Sequence, residues 1–316
     1  MQLLNFTKSL QLLVLIVCLL VFWEATSNTI VDPLSKPHSA TQQIEVKRKN
    51  LASDDLWRNI VGGFKIDHRE ESQQVKLEIK RLLADEGKLY SILKASAPYI
   101  YFIHQQSKAK GLPSELALIP VIESEYNPNG LSKKGASGLW QLMTGTAHEL
   151  GVKVKSGYDG RRNVVASTKA ALAYFKDLGI NFKDNWYLAI AAYNCGQGRV
   201  ESVERRTGSH NFWNLPLPKE TKYYVPRLLA VAAIIENPEK YGIKLPHIDN
   251  HPYFAEVKVK KSVNLKQVAK MSGISIQALK KLNPDYKNDT VIKKNLSSLL
   301  VPIEKVAIVK STIQTI

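Results

Sequence analysis

The chain has 316 residues, 44% hydrophobic and 23% charged. That balance excludes a disordered, collagen-like or multi-pass membrane chain and leaves room for about two domains. With 44 Lys and Arg against 28 Asp and Glu the formal net charge is +16, a surface that attracts polyanions such as nucleic acid, anionic lipid or an acidic polymer without choosing among them.

Lys8 precedes an apolar run from Leu12 to Trp23, and Ala25, Thr26 and Ser27 follow it. A positive start, a short apolar stretch and small residues beyond it read as a secretory signal peptide over residues 1–27. The run is shorter than the roughly 20 residues of a membrane span, and Val17 before Cys18 argues against a lipoprotein leader. The expected location is therefore the periplasm or cell envelope, with a retained membrane anchor as the variant. Export removes cytoplasmic nucleic acid as a partner. It also leaves Cys195 as the single thiol of a processed chain, too little for a disulfide framework or a cysteine-based zinc site. The seven histidines show no paired ligand spacing, so neither a metal nor a cofactor is expected.

Residues 28–74 read as linker and N-terminal extension, polar around Pro33 and Pro37. From Val75 the pattern becomes helical, with Leu77, Leu82, Leu89, Ile92 and Leu93 at near-helical spacing and Ile100, Phe102 and Ile103 continuing it. This helix-rich block fills residues 75–245. The tail, residues 250–305, is different. Phe254 to Lys260 alternates like a strand, Leu265 to Met271 and Ile276 to Leu282 read as two short helices divided by Gly273, and Leu299 to Val301 form a second strand before Pro302. The fold class is thus mainly α with a small α+β (βααβ) domain at the C-terminus.

Chemistry concentrates between Gly111 and Val225. Pro113 suits a helix start, Leu116, Ile119 and Ile122 form an apolar stripe, and Pro120 should kink it. Glu123 follows the stripe just before the chain breaks at Asn127-Pro128. A carboxyl beside apolar neighbours is partly desolvated and holds its proton to higher pH; from this segment alone an ordinary solvated glutamate fits as well. A Gly-rich turn from Ser132 to Gly138 leads to Gln141 and Met143, and Thr144 suits a helix cap. The apolar helix from Trp186 ends in Tyr193-Asn194, where polar groups surface. Trp57, Trp186 and Trp213 read as core residues, as does Cys195.

Glu123-Ser124, Gly138-Leu-Trp-Gln141, Ala192-Tyr-Asn-Cys-Gly-Gln-Gly198 and Glu220-Thr-Lys-Tyr-Tyr-Val225, in this order and spacing, resemble the family 1 lytic transglycosylases over residues 98–236. The membrane-bound D type, which also carries C-terminal LysM domains, is the nearer match. The resemblance implies a lysozyme-like α-helical catalytic domain in which Glu123 is the single catalytic acid/base. It implies that Ser132, Gln141, Met143, Tyr193 and Asn194 line a sugar groove, with Glu220 as a second carboxyl that orients the site. Tyr193 is expected to bond the substrate's acetamido group or Glu123, and Gln141 the sugar hydroxyls. Trp140 departs from the usual Met, and Thr144-Gly-Thr146 from the usual Pro-x-Thr. The implied reaction cleaves peptidoglycan glycan strands between N-acetylmuramic acid and N-acetylglucosamine, leaving 1,6-anhydromuramic ends, by a monomer. A hydrolytic goose-type lysozyme and a non-catalytic wall-binding scaffold are the alternatives. The tail resembles a LysM module, but Lys261-Ser-Val-Asn264 stands where Gly-Asp-Thr is usual, so a stabilising appendage is its other reading.

Overall fold

A computed structural model describes residues 55–291 and 298–316; the leader over 1–27 and the polar segment after it lie outside the described residues. Among the described residues no helix is long and apolar enough to cross a membrane.

The helical block starts ahead of Val75. Helix α1 (Leu56–Val61) is capped by Asp55, whose carboxylate accepts from Trp57 N at 3.2 Å. Leu56, Trp57 and Ile60 enter the main core, and the indole N–H of Trp57 donates to Pro246 O at 2.7 Å. A helix of six residues is too short to show a period, which is why the repeat becomes visible only in α2 (Gln73–Leu83). Ser72 caps α2 and Asp85 caps α3 (Glu86–Ala95) through side-chain oxygens, and α4 (Ile100–Ala109) follows.

A 3-10 turn at Ser114–Leu118 runs into α5 (Ile119–Ser124), with Pro120 near its start. Pro120 sits where its missing N–H costs nothing, so the segment breaks between two helix types rather than kinking inside one. Next come α6 (Thr144–Glu149), a hairpin of β1 (Val154–Lys155) and β2 (Tyr158–Asp159), α7 (Val164–Asn181), α8 (Trp186–Cys195), α9 (Gln197–Thr207) and α10 (Lys219–Glu236). Two of these are core helices. In α8 Leu188 to Ala192 are all buried, and in α10 every residue from Tyr224 to Ile235 except Arg227 is buried. A helix apolar on all sides must be surrounded, and α10 packs against α2, α8 and the 3-10 turn.

In the tail, β3 (Phe254–Lys258) pairs antiparallel with β6 (Ser298–Pro302), with Glu256 opposite Leu300. Between them lie β4 (Val263–Asn264), α11 (Leu265–Ser272), α12 (Ile276–Leu282) and β5 (Thr290–Val291), β4 pairing with β5. Asn264 caps α11 by accepting from Lys266 N and Gln267 N. A last helix, α13 (Val306–Thr315), lies beyond the expected end of this domain and closes its core with Val309 and Ile313.

Residues 53–316 form one compact unit. Phe254, Leu282 and Leu300 of the tail belong to the main core rather than to the tail's own. The loop after α12 is bonded to the β1–β2 hairpin: Asp159 N donates to Asp285 O at 2.9 Å and Lys287 N to Gly157 O at 3.1 Å. Asn163 Nδ2 donates to Asp285 Oδ2 at 2.7 Å, and burial pushes the Asp285 carboxyl up to about 6.

Candidate active site

Glu123 is the penultimate residue of α5, a helix anchored by buried Ile119, Pro120 and Val121. The helix cannot continue, because Glu125 and Tyr126 both adopt left-handed backbone angles, φ 53° and 58°. Each such non-glycine residue costs on the order of 1 kcal/mol. The Tyr126 ring, 1% exposed, holds the turn in place, its hydroxyl donating to Ala117 O at 2.6 Å.

The Glu123 side chain is half-buried, and Tyr224 from α10 donates its hydroxyl to Glu123 Oε1 at 2.6 Å. Burial pushes this carboxyl up from 4.5 to about 7; the Tyr224 hydrogen bond pulls it down and the charge of Glu220 pushes it further up. Near neutral pH the group can therefore both give and take a proton.

The loop before α6 is fastened to this helix. Ser124 Oγ donates to Leu139 O at 2.8 Å. Gly138, at φ +83°, passes so close to the 161–162 backbone that a Cβ would lie 1.9 Å from Arg161 O, so only glycine fits there. The Arg161 guanidinium donates to Gly135 O at 2.7 Å and Thr144 Oγ1 at 3.0 Å while pairing with Asp159 at 2.8 Å. Thr144 is thus the first residue of α6, preceded by Met143 at the cap position, and its hydroxyl serves Arg161 rather than the helix end.

Ser132 closes the 132–136 turn by accepting from Ala136 N at 3.0 Å. Gln141 takes a left-handed conformation, φ 46°, and its Nε2 donates to Gly138 O at 2.9 Å. Met143 is 45% exposed, while Trp140 is fully buried with its indole N–H on Thr168 Oγ1 at 3.0 Å. At the end of α8, Tyr193 stacks on Phe175 with ring centroids 4.4 Å apart, and its hydroxyl donates to Trp140 O at 2.7 Å. The direct hydrogen bond to Glu123 therefore comes from Tyr224, not Tyr193. Asn194 Oδ1 accepts from Thr221 Oγ1 at 2.8 Å, tying α8 to α10.

Glu220 is one turn before Tyr224 on α10. Its side chain is 73% exposed and faces Lys134 at 3.8 Å, so it acts on Glu123 through its charge rather than by a hydrogen bond. Sequence pattern alone does not single out Tyr224, although it lies inside the Glu220–Val225 motif. Its spacing of four from Glu220 was the available signal, since residues i and i+4 share a helix face. Cys195, expected in the core, is a half-buried free thiol, and Trp186 and Trp213 are likewise only half-buried.

Comparison with known proteins gives two family matches. Residues 100–216 match the transglycosylase SLT domain family and residues 253–316 the LysM-like domain of the lytic transglycosylase MltD family. The chain is 37% identical over 258 residues to the membrane-bound lytic murein transglycosylase D of Escherichia coli K12, covering 80% of this chain and 57% of that protein. It is 31% identical over 228 residues to the soluble lytic murein transglycosylase of the same organism, covering 68% of this chain and 32% of that one. Among solved structures, the lytic transglycosylase Slt of Pseudomonas aeruginosa aligns at 28% identity with a TM-score of 0.36, over 48% of this chain and 25% of its own. The chain thus spans little more than half of the curated relative it matches over most of its length. Glu123 thus lies within the segment that matches the transglycosylase SLT domain family, and the tail within the match to the LysM-like domains of the MltD type.

Proposed function

We propose that the protein is a peptidoglycan lytic transglycosylase of the cell envelope, cleaving between N-acetylmuramic acid and N-acetylglucosamine without water. The observation that carries this reading is a single half-buried carboxyl, Glu123, held near pH 7 by burial and oriented by Tyr224. Most glycosidases set two carboxyls on the scissile bond. Here the other glutamate on the site, Glu220, lies largely in solvent against Lys134, which favours a one-carboxyl mechanism.

Protonated Glu123 gives its proton to the bridging oxygen as the bond from C1 to that oxygen breaks. The substrate's acetamido group stabilises the positive C1 centre, as in substrate-assisted glycosidases. Glu123, now a carboxylate, takes the proton of the muramic C6 hydroxyl while that oxygen bonds C1, closing the 1,6-anhydro ring and restoring the acid. Tyr224 keeps Oε1 in place through both transfers. Ser132, Gln141, Met143, Tyr193 and Asn194 are proposed to border the glycan, and the LysM-like domain to contact the same polymer. The apolar leader would carry the chain out of the cytoplasm and, where retained, hold it at the membrane.

Digestion of purified sacculi followed by mass analysis tests the proposal. Wild type should release muropeptides lighter by one water than those of a hydrolase, and Glu123→Gln none. Fragments with reducing ends would instead assign a goose-type lysozyme, and release by Glu123→Gln at the parent rate would overturn the role of Glu123.

A further inference from the structure

Helix α10 carries two neighbouring rows of side chains. Glu220 and Tyr224 form the row at Glu123; Lys219 and Tyr223 form the next, joined by Lys222. This second row borders a cavity of about 400 Å³ completed by Gln74, Leu217 and Trp213. Its lining is cationic and aromatic, with no acidic residue. Glu220, which could have neutralised it, reaches Lys134 instead, and among the described residues neither Lys219 nor Lys222 has a carboxylate partner.

Arg69 adds a further cation at the aromatic wall, while Arg81 is paired with Glu78 at 2.7 Å. The Arg69 guanidinium lies 4.8 Å over the Trp213 ring and that of Arg81 5.3 Å over Tyr223. Trp213 also has a spare donor, for its indole N–H is shielded from solvent and has no hydrogen-bond partner. Trp57 and Trp140 both satisfy theirs. Leaving a buried donor unpaired costs about 1–3 kcal/mol, and a ligand carbonyl or carboxylate that drew the ring edge round to the cavity would recover that loss.

Lysines without partners, a free indole N–H, a side-chain amide and apolar ring faces together suit a short peptide bearing carboxylates and small alkyl groups. We propose that this cavity binds the carboxylate-bearing stem peptide attached to the glycan strand at Glu123. The proposal rests on the reading of that strand as murein. It gives the enzyme a second handle on its substrate beside the reacting sugars, so that peptide-bearing strands are preferred to bare glycan.

Two measurements test it on the full chain. In calorimetric titration with free stem peptide cut from sacculi by an amidase, wild type and Glu123→Gln should bind alike. Lys222→Glu should weaken binding by about tenfold, equivalent to about 1.4 kcal/mol, and Trp213→Phe, which keeps a ring but removes the donor, by about fivefold. In turnover, Lys222→Glu should raise KM on peptide-bearing strands and leave both kcat and the KM for amidase-stripped strands unchanged. Absence of peptide binding by wild type, undiminished binding by Lys222→Glu, or an equal rise in KM on both substrates would overturn the proposal. Should Glu123→Gln still form anhydro ends, the assignment of Glu123 falls, while the titration still decides whether the cavity takes the peptide.

Discussion

Replacing Glu123 by Gln should stabilise the protein progressively as the pH rises from about 4.5 to 7, and by its full amount above that. Gln has nearly the same volume and keeps an oxygen for the Tyr224 hydroxyl, which lies 2.6 Å from Oε1 in the parent, so no cavity and no lost acceptor complicate the comparison. The carboxyl titrates near 4.5 when solvated and at about 7 in the folded protein because burial disfavours its charge. Below pH 4.5 it is protonated in both states and Glu and Gln are equivalent. As the pH rises from 4.5 to 7 the unfolded chain binds fewer protons than the folded one, so stability contributed by this group is progressively lost. At 1.36 kcal/mol per pH unit the gap sets a ceiling of about 3 kcal/mol, and solvent screening in the open groove reduces it to about 2. For a folded unit of this size that is a Tm difference of roughly 4–8 °C. Thermal unfolding of the two proteins at pH 4 and pH 8.5 should give coincident midpoints at the lower pH and a more stable Glu123→Gln at the higher. An equal difference at both pH values, or a parent more stable at pH 8.5, would refute burial as the cause of the raised titration.

Tyr224→Phe removes a hydrogen bond that favours the Glu123 carboxylate, worth about 1.5–3 kcal/mol to a charged acceptor. The alkaline limb of the pH–rate profile for muropeptide release, expected near 7 in the parent, should therefore move up by about one pH unit or more; a limb that stays or falls contradicts this. Gly138→Ala drives a methyl to within 1.9 Å of Arg161 O at a backbone φ of +83°, and should lower stability by about 3 kcal/mol or more in urea unfolding and abolish sacculus digestion. Arg161→Met strands the buried Asp159 carboxylate that it pairs with at 2.8 Å. A loss of about 3–5 kcal/mol is expected, with partial recovery when Asp159→Asn is added.

Much of this molecule was legible from its sequence, for reasons that differ by element. The tail's first strand and two helices are read directly, because Ala255, Val257 and Val259 alternate with exposed Glu256 and Lys258 and the turn at Gly273 is explicit. Glu123 stood out once four motifs were taken together, and the residues of those motifs do meet around it through Ser124, Tyr193, Asn194 and Tyr224. What stayed hidden depends on contacts distant in the chain. Helix α1 is too short for a period and shows its place only through Ile248 and Pro246. Tyr224 and Tyr193 are both tyrosines at helix positions near the acid, and only the folded geometry tells which one bonds it. Trp213 looks like any core tryptophan until its unpaired N–H and the lysines beside it are seen together.

The main-chain bonds between Gly157–Asp159 and Asp285–Lys287 make the C-terminal module a fixture rather than a trailing float. A float on a tether samples many distances from the blade it serves, and its reach grows with the length of the cord. This one keeps a constant offset from Glu123, so lengthening the 246–252 connection would add slack without adding range. A polymer bound on the module would meet the groove at Glu123 at one spacing and one angle, as a guide rail sets the angle of what slides along it.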